Sequence, residues 1–543
     1  MVKVVLAGMN VPMKILDDIN ALKKAIEEGK ESDESKLEYI TFQLGEIAKR
    51  FTPEILTAAY ARISRKPEDV NQLVEEAYDD VPKARKSNQS IIYGMGHHSV
   101  ADHALFNFNI TGISRLAVEF LEKRRIGSGY TEKSQRYITL DGDYVKPTEF
   151  SPEDASAFHA LVAGQNAFYF RNYPKIFDSL KNKFSGQIAK LDDKGKAGLI
   201  NDLEGKTKED ARYSLSLATE AQLGCSFDGE ALELTIREGK HDRLQEVREL
   251  AKQLYGQTVA AAPSLIQLTD PELFAKHNPG QQLLDDNFAK TPEHIRKLVA
   301  ETFLGLEARI RTRRFMPDGI EFYRNLEELL SPTRIKCSDP DTNILAAILH
   351  TYSKKSASEC YQAASILQHE KRAEDFKNQA LKHMSLYDKL PREFESNNGL
   401  MFEAVVSASC FAQLKRHRML TLLPQDYDTS LGFTMPPNIE EAGLGQELVD
   451  VVNKSSELHE TLEPRYGKAA EFALTNAHRR RVLICTNMRE LCHVSRTRED
   501  KHAQWEIRGL ATQLSKLARD YAPITASVLG GQSELLKHFK AST

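Results

Sequence analysis

The chain has 543 residues, of which 41% are hydrophobic and 28% charged, and its net charge is −4. This length exceeds what one hydrophobic core ordinarily serves, so the sequence predicts a soluble globular protein of two or more domains. The negative net charge argues against a surface built for nucleic acid, so any bound anion needs a local basic pocket. No apolar run is long enough to span a bilayer, and the cysteines lack Cys-x-x-Cys spacing, which fits a cytoplasmic protein without a membrane partner.

Predicted strands and helices alternate along the chain in a way that indicates an α+β fold. The short apolar opening lacks the basic start of a signal peptide and is interpreted as a strand. The predicted strands are residues 1–9, Ala104–Thr111, Ala231–Ile236 and Arg481–Thr486. Apolar residues at helical spacing predict a helix over 113–121, and longer helices are predicted on the outside of the fold at 151–210 and 440–465.

Three sequence features occur in the same order in each half of the chain, which favours an internal duplication. The paired segments are 56–66 with 345–355, 119–137 with 412–427, and 246–251 with 506–511. A polar connector with proline and glycine lies near residues 275–290. We therefore predict two repeats, residues 1–280 and 281–543.

The middle pair of segments carries the most informative pattern, an apolar helix that runs into a basic triplet and then a loop. The first copy keeps Ser134 and Arg136 in its loop, and the second keeps the triplet Arg416-His417-Arg418. Hydroxyl groups and a guanidinium suit a phosphate, whereas the second loop has Asp426 and Asp428, which would repel one. Two differently equipped copies indicate one site assembled from both halves.

Several of these residues allow a second interpretation. The triplet Arg416-His417-Arg418 suits a diphosphate, but a basic helix C-terminus is also stabilised by the helix dipole alone. His97, His98 and His103 could bind a metal, a phosphate or a polar ring, and Ser99 could simply cap a helix. Cys492 beside His493 could be a nucleophile with its base or a buried thiol. Trp505, the single tryptophan, is expected to pack in a core.

Taken together, the motifs resemble the flavin-dependent thymidylate synthases, the ThyX family. The resemblance covers most of residues 50–270 and 340–530. The matching motifs are Gly96-His97-His98-Ser99, Ser134-Gln135-Arg136-Tyr137, Gln413-Leu414-Lys415-Arg416-His417-Arg418, Asn487-Met488-Arg489, and Arg498 followed by Ala503-Gln504-Trp505-Glu506-Ile507. The resemblance implies two ThyX-like units, each a mixed or antiparallel sheet wrapped by long helices. Family members of about half this length form homotetramers, which implies that this chain forms a homodimer mimicking the tetramer.

The resemblance also implies a reaction, the reductive methylation of dUMP to dTMP. NADPH would reduce FAD, methylenetetrahydrofolate would supply the carbon, and the reduced flavin would return a hydride. Two alternatives stay open: a non-catalytic protein that binds a uracil nucleotide, and a flavoenzyme that makes another 5-substituted dUMP.

The family's site residues map onto both repeats, and no metal is implied. The residues implied for dUMP are Glu132, Lys133, Ser134, Gln135, Arg136, Arg212, Gln413, Arg416 and Arg498, of which Arg498 is the implied catalytic residue. The residues implied for FAD are His97, Ser99, Arg416, His417, Arg418, Asn487, Arg489 and His502. The first repeat has Phe120 and Lys123 in place of Gln413 and Arg416, and the second has Glu471 near the place of Arg212. These losses are complementary, so the resemblance implies one composite site.

Overall fold

The computed structural model describes residues 2–28, 33–134, 140–277, 283, 287–306, 340–380, 382–383, 392–395, 400–521 and 529–531. The chain forms two compact units. Unit 1 comprises Met1–Ile113, Arg124–Lys133 and Ala221–Phe288; unit 2 comprises Ser114–Lys123, Ser134–Glu220 and Ala289–Thr543. Within these described ranges, no helix is both long and apolar enough to cross a membrane.

Helices account for most of the described chain. In chain order they are α1 (Lys14–Glu27), α2 (Asp33–Lys49), α3 (Glu54–Arg62), α4 (Val70–Asp79), α5 (Val81–Asn88), α6 (Arg115–Glu122), α7 (Pro152–Lys183), α8 (Ser185–Ile188), α9 (Asp193–Ala211), α10 (Gly229–Lys240), α11 (Gln245–Val259), α12 (Pro271–His277), α13 (Asn287–Leu306), α14 (Pro340–Thr351), α15 (Ala357–His369), α16 (Ala373–Ala380), α17 (Ala408–Leu414), α18 (Pro437–Glu441), α19 (Gly445–Tyr466), α20 (Met488–Arg498) and α21 (Trp505–Tyr521). Short 3₁₀ turns include His98–His103, Arg212–Ser214 and Gly467–Ala473.

Unit 1 contains a four-stranded sheet. Its strands are β1 (Lys3–Met9), β2 (Leu105–Ser114), β3 (Ser128–Glu132) and β4 (Glu220–Asp228), in the order β1-β2-β4-β3. β1 pairs antiparallel with β2, and β3 with β4. The first two predicted strands are therefore confirmed. Helices α1, α3, α4 and α5 share a separate apolar core in this unit.

The predicted strand Ala231–Ile236 is wrong, because these residues lie in helix α10. The Asp228 carboxylate accepts the backbone N–H of Ala231 at 2.7 Å, which caps the start of this helix. The strand of this region precedes the cap, where Glu220–Asp228 alternates exposed and buried side chains. Short apolar runs do not distinguish a strand from a buried helix, and the capping carboxylate decides the outcome.

Unit 2 contains a three-stranded antiparallel sheet, β5 (Leu400–Ser407), β6 (Thr421–Pro424) and β7 (Arg479–Thr486), in the order β5-β7-β6. The predicted strand Arg481–Thr486 is confirmed as part of β7, whose residues are all buried. Helices α17, α20 and α21 pack with this sheet in one apolar core. This core positions α17 and α20, the two helices that carry residues of the candidate active site.

A second core of unit 2 joins helices from both halves of the chain. Helices α7 and α9 pack against α18 and α19 through residues such as Phe168, Leu203 and Leu448. The helices predicted over 151–210 and 440–465 are confirmed. They bury their apolar faces against one another, as amphipathic helices must when they lie side by side.

The two halves also meet through their backbones in unit 2. Leu217 N–H donates to Leu474 O at 2.8 Å, and Asn476 N–H donates to Leu215 O at 2.8 Å. Leu215 and Leu474 hold equivalent positions, because each directly follows a 3₁₀ turn. Leu215 follows Arg212–Ser214, and Leu474 follows Gly467–Ala473. Exchanging equivalent residues converts one hydrogen bond into the other, as a local two-fold axis would. This pairing supports the duplication, while the repeat boundary near residue 280 stays a prediction.

A buried ion pair joins the halves near this contact. Glu119 on α6 accepts from Arg480 Nη1 on β7 at 2.6 Å and from the Tyr427 hydroxyl at 2.8 Å. The Arg480 guanidinium also lies over the Tyr427 ring, 4.0 Å from its centroid. Burial alone would raise the pKa of Glu119, but Arg480 and Lys415 outweigh burial, and the pKa is lowered. Glu119 is therefore charged at neutral pH and neutralises Arg480.

We predict that Glu119→Gln lowers the free energy of unfolding of unit 2 by about 3–5 kcal/mol, because Arg480 would remain buried without its counter-ion. Urea denaturation followed by circular dichroism measures the change. Glu441→Gln is the matched control, since Glu441 pairs with Lys183 of the other half at a half-exposed position and should cost less than about 1 kcal/mol. Equal losses in the two variants would contradict a structural role for the buried pair.

Candidate active site

Three predicted residues meet where the C-terminal ends of α17 and α20 come together. Arg498 Nε donates to His417 Nε2 at 2.8 Å, and Arg498 Nη2 donates to Gln413 O at 3.1 Å. Ser407 caps α17 by accepting the Cys410 N–H, which fixes the start of the helix that carries Gln413. The guanidinium thus lies at two helix C-termini, where a cation is favoured.

The central histidine of the basic triplet is buried and neutral. Burial, followed by the charge of Arg498 and the proximity of His493, lowers the pKa of His417 to about 3. Because His417 Nε2 accepts from Arg498, the ring proton resides on Nδ1, which lies 4.0 Å from Glu490 Oε1. This neutral acceptor orients the Arg498 guanidinium without itself adding a negative charge.

The side-chain amide of Gln413 is held from one end. Its Nε2 lies 3.5 Å from Gln504 Oε1, a distance at the long end for a hydrogen bond. Its Oε1 is buried, and no donor in the described part of the chain reaches it. Gln504 Nε2 in turn donates to the Tyr213 hydroxyl at 2.9 Å.

Tyr213 connects this group to the first half of the chain, because it follows Arg212 in a buried 3₁₀ turn. Its hydroxyl donates to Glu506 Oε2 at 2.5 Å, and its ring stacks on Trp505 with centroids 6.0 Å apart. Asp210 accepts from Trp505 Nε1 at 2.9 Å. Residues on both sides of Arg212 are therefore bonded to the Gln504-Trp505-Glu506 segment of the second half.

The sequence prediction missed four members of this site: Tyr213, Gln504, Glu506 and Asp210. Gln504 and Glu506 were visible in the family motif, and Tyr213 stood beside a predicted ligand. No local pattern shows that a tyrosine hydroxyl bonds residues almost 300 positions away. Trp505 packs beside the second core of unit 2, as expected.

The remaining predicted residues of unit 2 come from several segments of the chain. Arg416 and Arg418 are exposed on either side of His417, and His502 is exposed before α21. The Asn487 side chain caps α20 by accepting the Glu490 N–H at 3.0 Å. Ser134 is partly buried, while Gln135, Arg136 and the Arg489 and Cys492 side chains lie outside the described residues.

The predicted residues of unit 1 occupy its surface and the end of a strand. His97 and Ser99 are exposed at the 3₁₀ turn His98–His103. The alternative that Ser99 caps a helix is wrong, because the turn begins one residue earlier and no side chain caps it. Glu132 ends β3, and Lys133 N–H donates to Gln222 O at 2.9 Å. Among the described residues, no group of three or more His, Cys, Asp or Glu could hold a metal ion.

The position equivalent to Arg212 carries Glu471, and its surroundings form an ion-pair cluster. Lys468 Nζ lies 2.5 Å from Glu471 Oε2 and 3.0 Å from Asp426 Oδ1. Glu471 Oε1 accepts the backbone N–H of Tyr427. Burial raises the pKa of Glu471, and Lys468 opposes this effect. Carboxylates occupy the positions where phosphate-binding side chains would lie, and they would repel a phosphate, so this position is unsuited to one.

We predict that acid destabilises unit 2 through His417. Between pH 6.5 and pH 3, the unfolded chain binds a proton at this residue that the folded chain does not. The free energy of unfolding therefore falls as the pH falls through this window, by up to about 1.4 kcal/mol per pH unit. Urea denaturation at several pH values should show a shallower dependence in His417→Gln, and exposed His369→Gln should keep the wild-type dependence. An unchanged dependence in His417→Gln would contradict a buried neutral histidine.

Comparisons with known proteins agree with the sequence motifs. The family model described as "Thymidylate synthase complementing protein" matches residues 47–264 and 334–524. A UPF0159 protein of Thermoplasma acidophilum is 22% identical over 502 residues, which cover 87% of this chain and 94% of that protein. A flavin-dependent thymidylate synthase of Clostridium tetani is 27% identical over 223 residues, which cover 40% of this chain and 83% of that protein.

Solved structures give weaker likenesses. A UMP/dUMP methylase, PolB, from Streptomyces cacaoi bound with 5-Br dUMP aligns with 51% of this chain and 95% of its own, at 15% identity and a TM-score of 0.32. The flavin-dependent thymidylate synthase ThyX from Helicobacter pylori, complexed with FAD and dUMP, aligns with 38% of this chain and 89% of its own, at 20% identity and a TM-score of 0.24. No residue-level correspondence follows from scores in this range.

The family model matches one stretch on each side of the predicted repeat boundary, and together the two stretches make up most of the chain. Its match confirms the resemblance inferred from the motifs. The chain belongs to the family of thymidylate synthase complementing proteins, the flavin-dependent thymidylate synthases.

Proposed function

We propose that this protein is an FAD-dependent thymidylate synthase that methylates dUMP to dTMP, with methylenetetrahydrofolate as carbon donor and NADPH as reductant. One observation carries the proposal: Arg498, His417 and Gln413 form a partly buried hydrogen-bonded group that is linked to the turn of Arg212. Residues from both repeats thus support one site within unit 2. The homodimer and the cytoplasmic location stay predictions.

Arg498 is the proposed catalytic residue. A guanidinium beside the O2 and N3 atoms of the pyrimidine would stabilise negative charge that develops on the ring. The Nε partner of Arg498 is the neutral ring of His417, so this hydrogen bond orients the guanidinium without neutralising it. The pair therefore supports a cation that is oriented before the substrate arrives.

The phosphate of dUMP is proposed to bind Ser134, Gln135, Arg136 and Arg212. Arg212 is buried in its turn, where its charge acts in a low-dielectric environment. Gln413 and Arg416 are proposed to contact the nucleoside. Glu132 and Lys133 stay predicted ligands.

FAD is proposed to bind Arg416, His417, Arg418, Asn487, Arg489 and His502, and the donor types fit it. Two exposed guanidiniums beside a helix end suit a diphosphate, which they can bind in a bidentate manner. When bound, FAD supplies the hydride chemistry, and the protein supplies position and charge. His97 and Ser99 stay predicted flavin ligands.

The purified protein should carry a flavin absorption spectrum and form dTMP from dUMP, NADPH and methylenetetrahydrofolate. A colourless protein that binds dUMP would instead favour the non-catalytic alternative. Dependence of flavin oxidation on dUMP, with a product other than dTMP, would favour another 5-substituted nucleotide.

We predict that Arg498→Ala lowers kcat/KM for dUMP by about 10²–10³-fold, the usual loss when one group that stabilises charge in the transition state is removed. The matched control is Arg496→Ala, which removes an exposed arginine from the same helix and should leave the rate within about threefold. Steady-state kinetics of dTMP formation measures both. A similar rate for Arg498→Ala and wild type would contradict the catalytic role.

A further inference from the structure

We propose that Gln504 is a positioning residue that fixes which end of the Gln413 amide faces the ligand, and that this orientation makes the site select uracil over cytosine. The inference rests on the proposed function, because it assigns a specificity to the same site. Gln504 itself does not need to touch the base.

The orientation of the Gln504 amide is determined by its neighbours. Its Oε1 accepts the backbone N–H groups of Glu506 at 3.0 Å and Ile507 at 3.1 Å, at the start of α21. An inverted amide would set its NH₂ group against these two donors, which is unfavourable. Its Nε2 donates to the Tyr213 hydroxyl at 2.9 Å, so both ends of the amide are held.

The hydroxyl of Tyr213 is in turn held by Glu506. It donates to Glu506 Oε2 at 2.5 Å, which leaves its lone pairs for the Gln504 N–H. Glu506 is anchored from another element, since Ser407 donates to it through both its backbone N–H and its hydroxyl. The directions of these hydrogen bonds follow from Glu506, whose carboxylate oxygens accept from Tyr213 and Ser407.

The contact with Gln504 sets the orientation of the Gln413 amide. Because Gln504 presents an oxygen, Gln413 turns its NH₂ group toward it and its own Oε1 away. Gln413 is only 6% exposed, and within the described chain no donor reaches this Oε1. Buried carbonyl oxygens are nearly always satisfied, so this acceptor points to a donor on the ligand.

At ring atom N3 a uracil ring supplies that donor, whereas the donor of a cytosine ring is its exocyclic N4 amino group. Neutral uracil carries a hydrogen on N3, and cytosine has a bare N3 that is itself an acceptor. Enzymes read bases through such Watson–Crick edges. A desolvated acceptor that faces another acceptor is strongly rejected, so the fixed Gln413 amide would discriminate by donor pattern.

The test is to measure the Kd of dUMP and of dCMP by calorimetry with the purified full-length protein. We expect Gln504→Met to reduce the preference for dUMP over dCMP by about tenfold or more, because the Gln413 amide loses the oxygen that holds it and can invert. Tyr213→Phe, which keeps the ring stacked on Trp505, should reduce the preference in the same direction. The control Gln165→Met also removes a buried amide, one bonded to Ser455 and Ala473, and should keep the wild-type preference.

The outcomes separate the two proposals. If the wild-type protein binds dUMP and Gln504→Met keeps the wild-type preference, the positioning role is overturned and the proposed function stands. If Gln504→Met does not fold, Tyr213→Phe is judged by the same criterion. A wild-type protein that binds neither nucleotide overturns the proposed function and this inference together. A purely structural role would weaken both nucleotides alike, which also overturns the inference.

Discussion

The backbone contact between residues 215–217 and 474–476 is the constraint on which the site in unit 2 depends. Two short hydrogen bonds between equivalent leucines and their neighbours fix the register of one half of the chain against the other. That register sets the turn of Arg212 beside the segment Gln504–Glu506. A slip of one residue along this pairing would shift the turn that carries Tyr213 relative to Gln504 and Glu506, its hydrogen-bond partners.

Charge is distributed unequally between the two equivalent positions that this contact creates. At one, Arg498 is held by a neutral histidine, and the carboxylates of the neighbouring network are satisfied by hydroxyl and backbone donors. At the other, Lys468, Asp426 and Glu471 neutralise one another. His417 does not neutralise Arg498, whereas Lys468 is paired with two carboxylates. Of the two equivalent positions, one thus has groups suited to a ligand, and the other holds an ion-pair cluster within the second half.

Local sequence patterns predicted the helices correctly where apolar residues at helical spacing were the dominant signal. The helical stripe before Lys123 and the long helices over 151–210 and 440–465 follow from apolar spacing. The failure at Ala231–Ile236 arose because the capping role of Asp228 depends on where the preceding strand ends. The motifs predicted that Gln413, His417 and Arg498 share a site, and they meet in unit 2.

The sequence did not predict the hydrogen bonds and the protonation state that support this site. Tyr213 and Gln504 lie far apart in the chain, and their hydrogen bond follows from packing that local patterns do not encode. The neutral state of His417 is likewise a consequence of burial next to Arg498, because an exposed histidine at the end of a basic helix would titrate near neutral pH. Charge and hydrogen-bond direction therefore had to be taken from the fold.

We propose that the two repeats share one nucleotide site, since only one of the two equivalent positions suits a phosphate. Equilibrium dialysis with radiolabelled dUMP, carried to saturation on the purified protein, measures the claim most directly. We expect saturation at one nucleotide bound per chain. Saturation at two nucleotides per chain would contradict it, because the cluster of Lys468, Asp426 and Glu471 would then also be a nucleotide site.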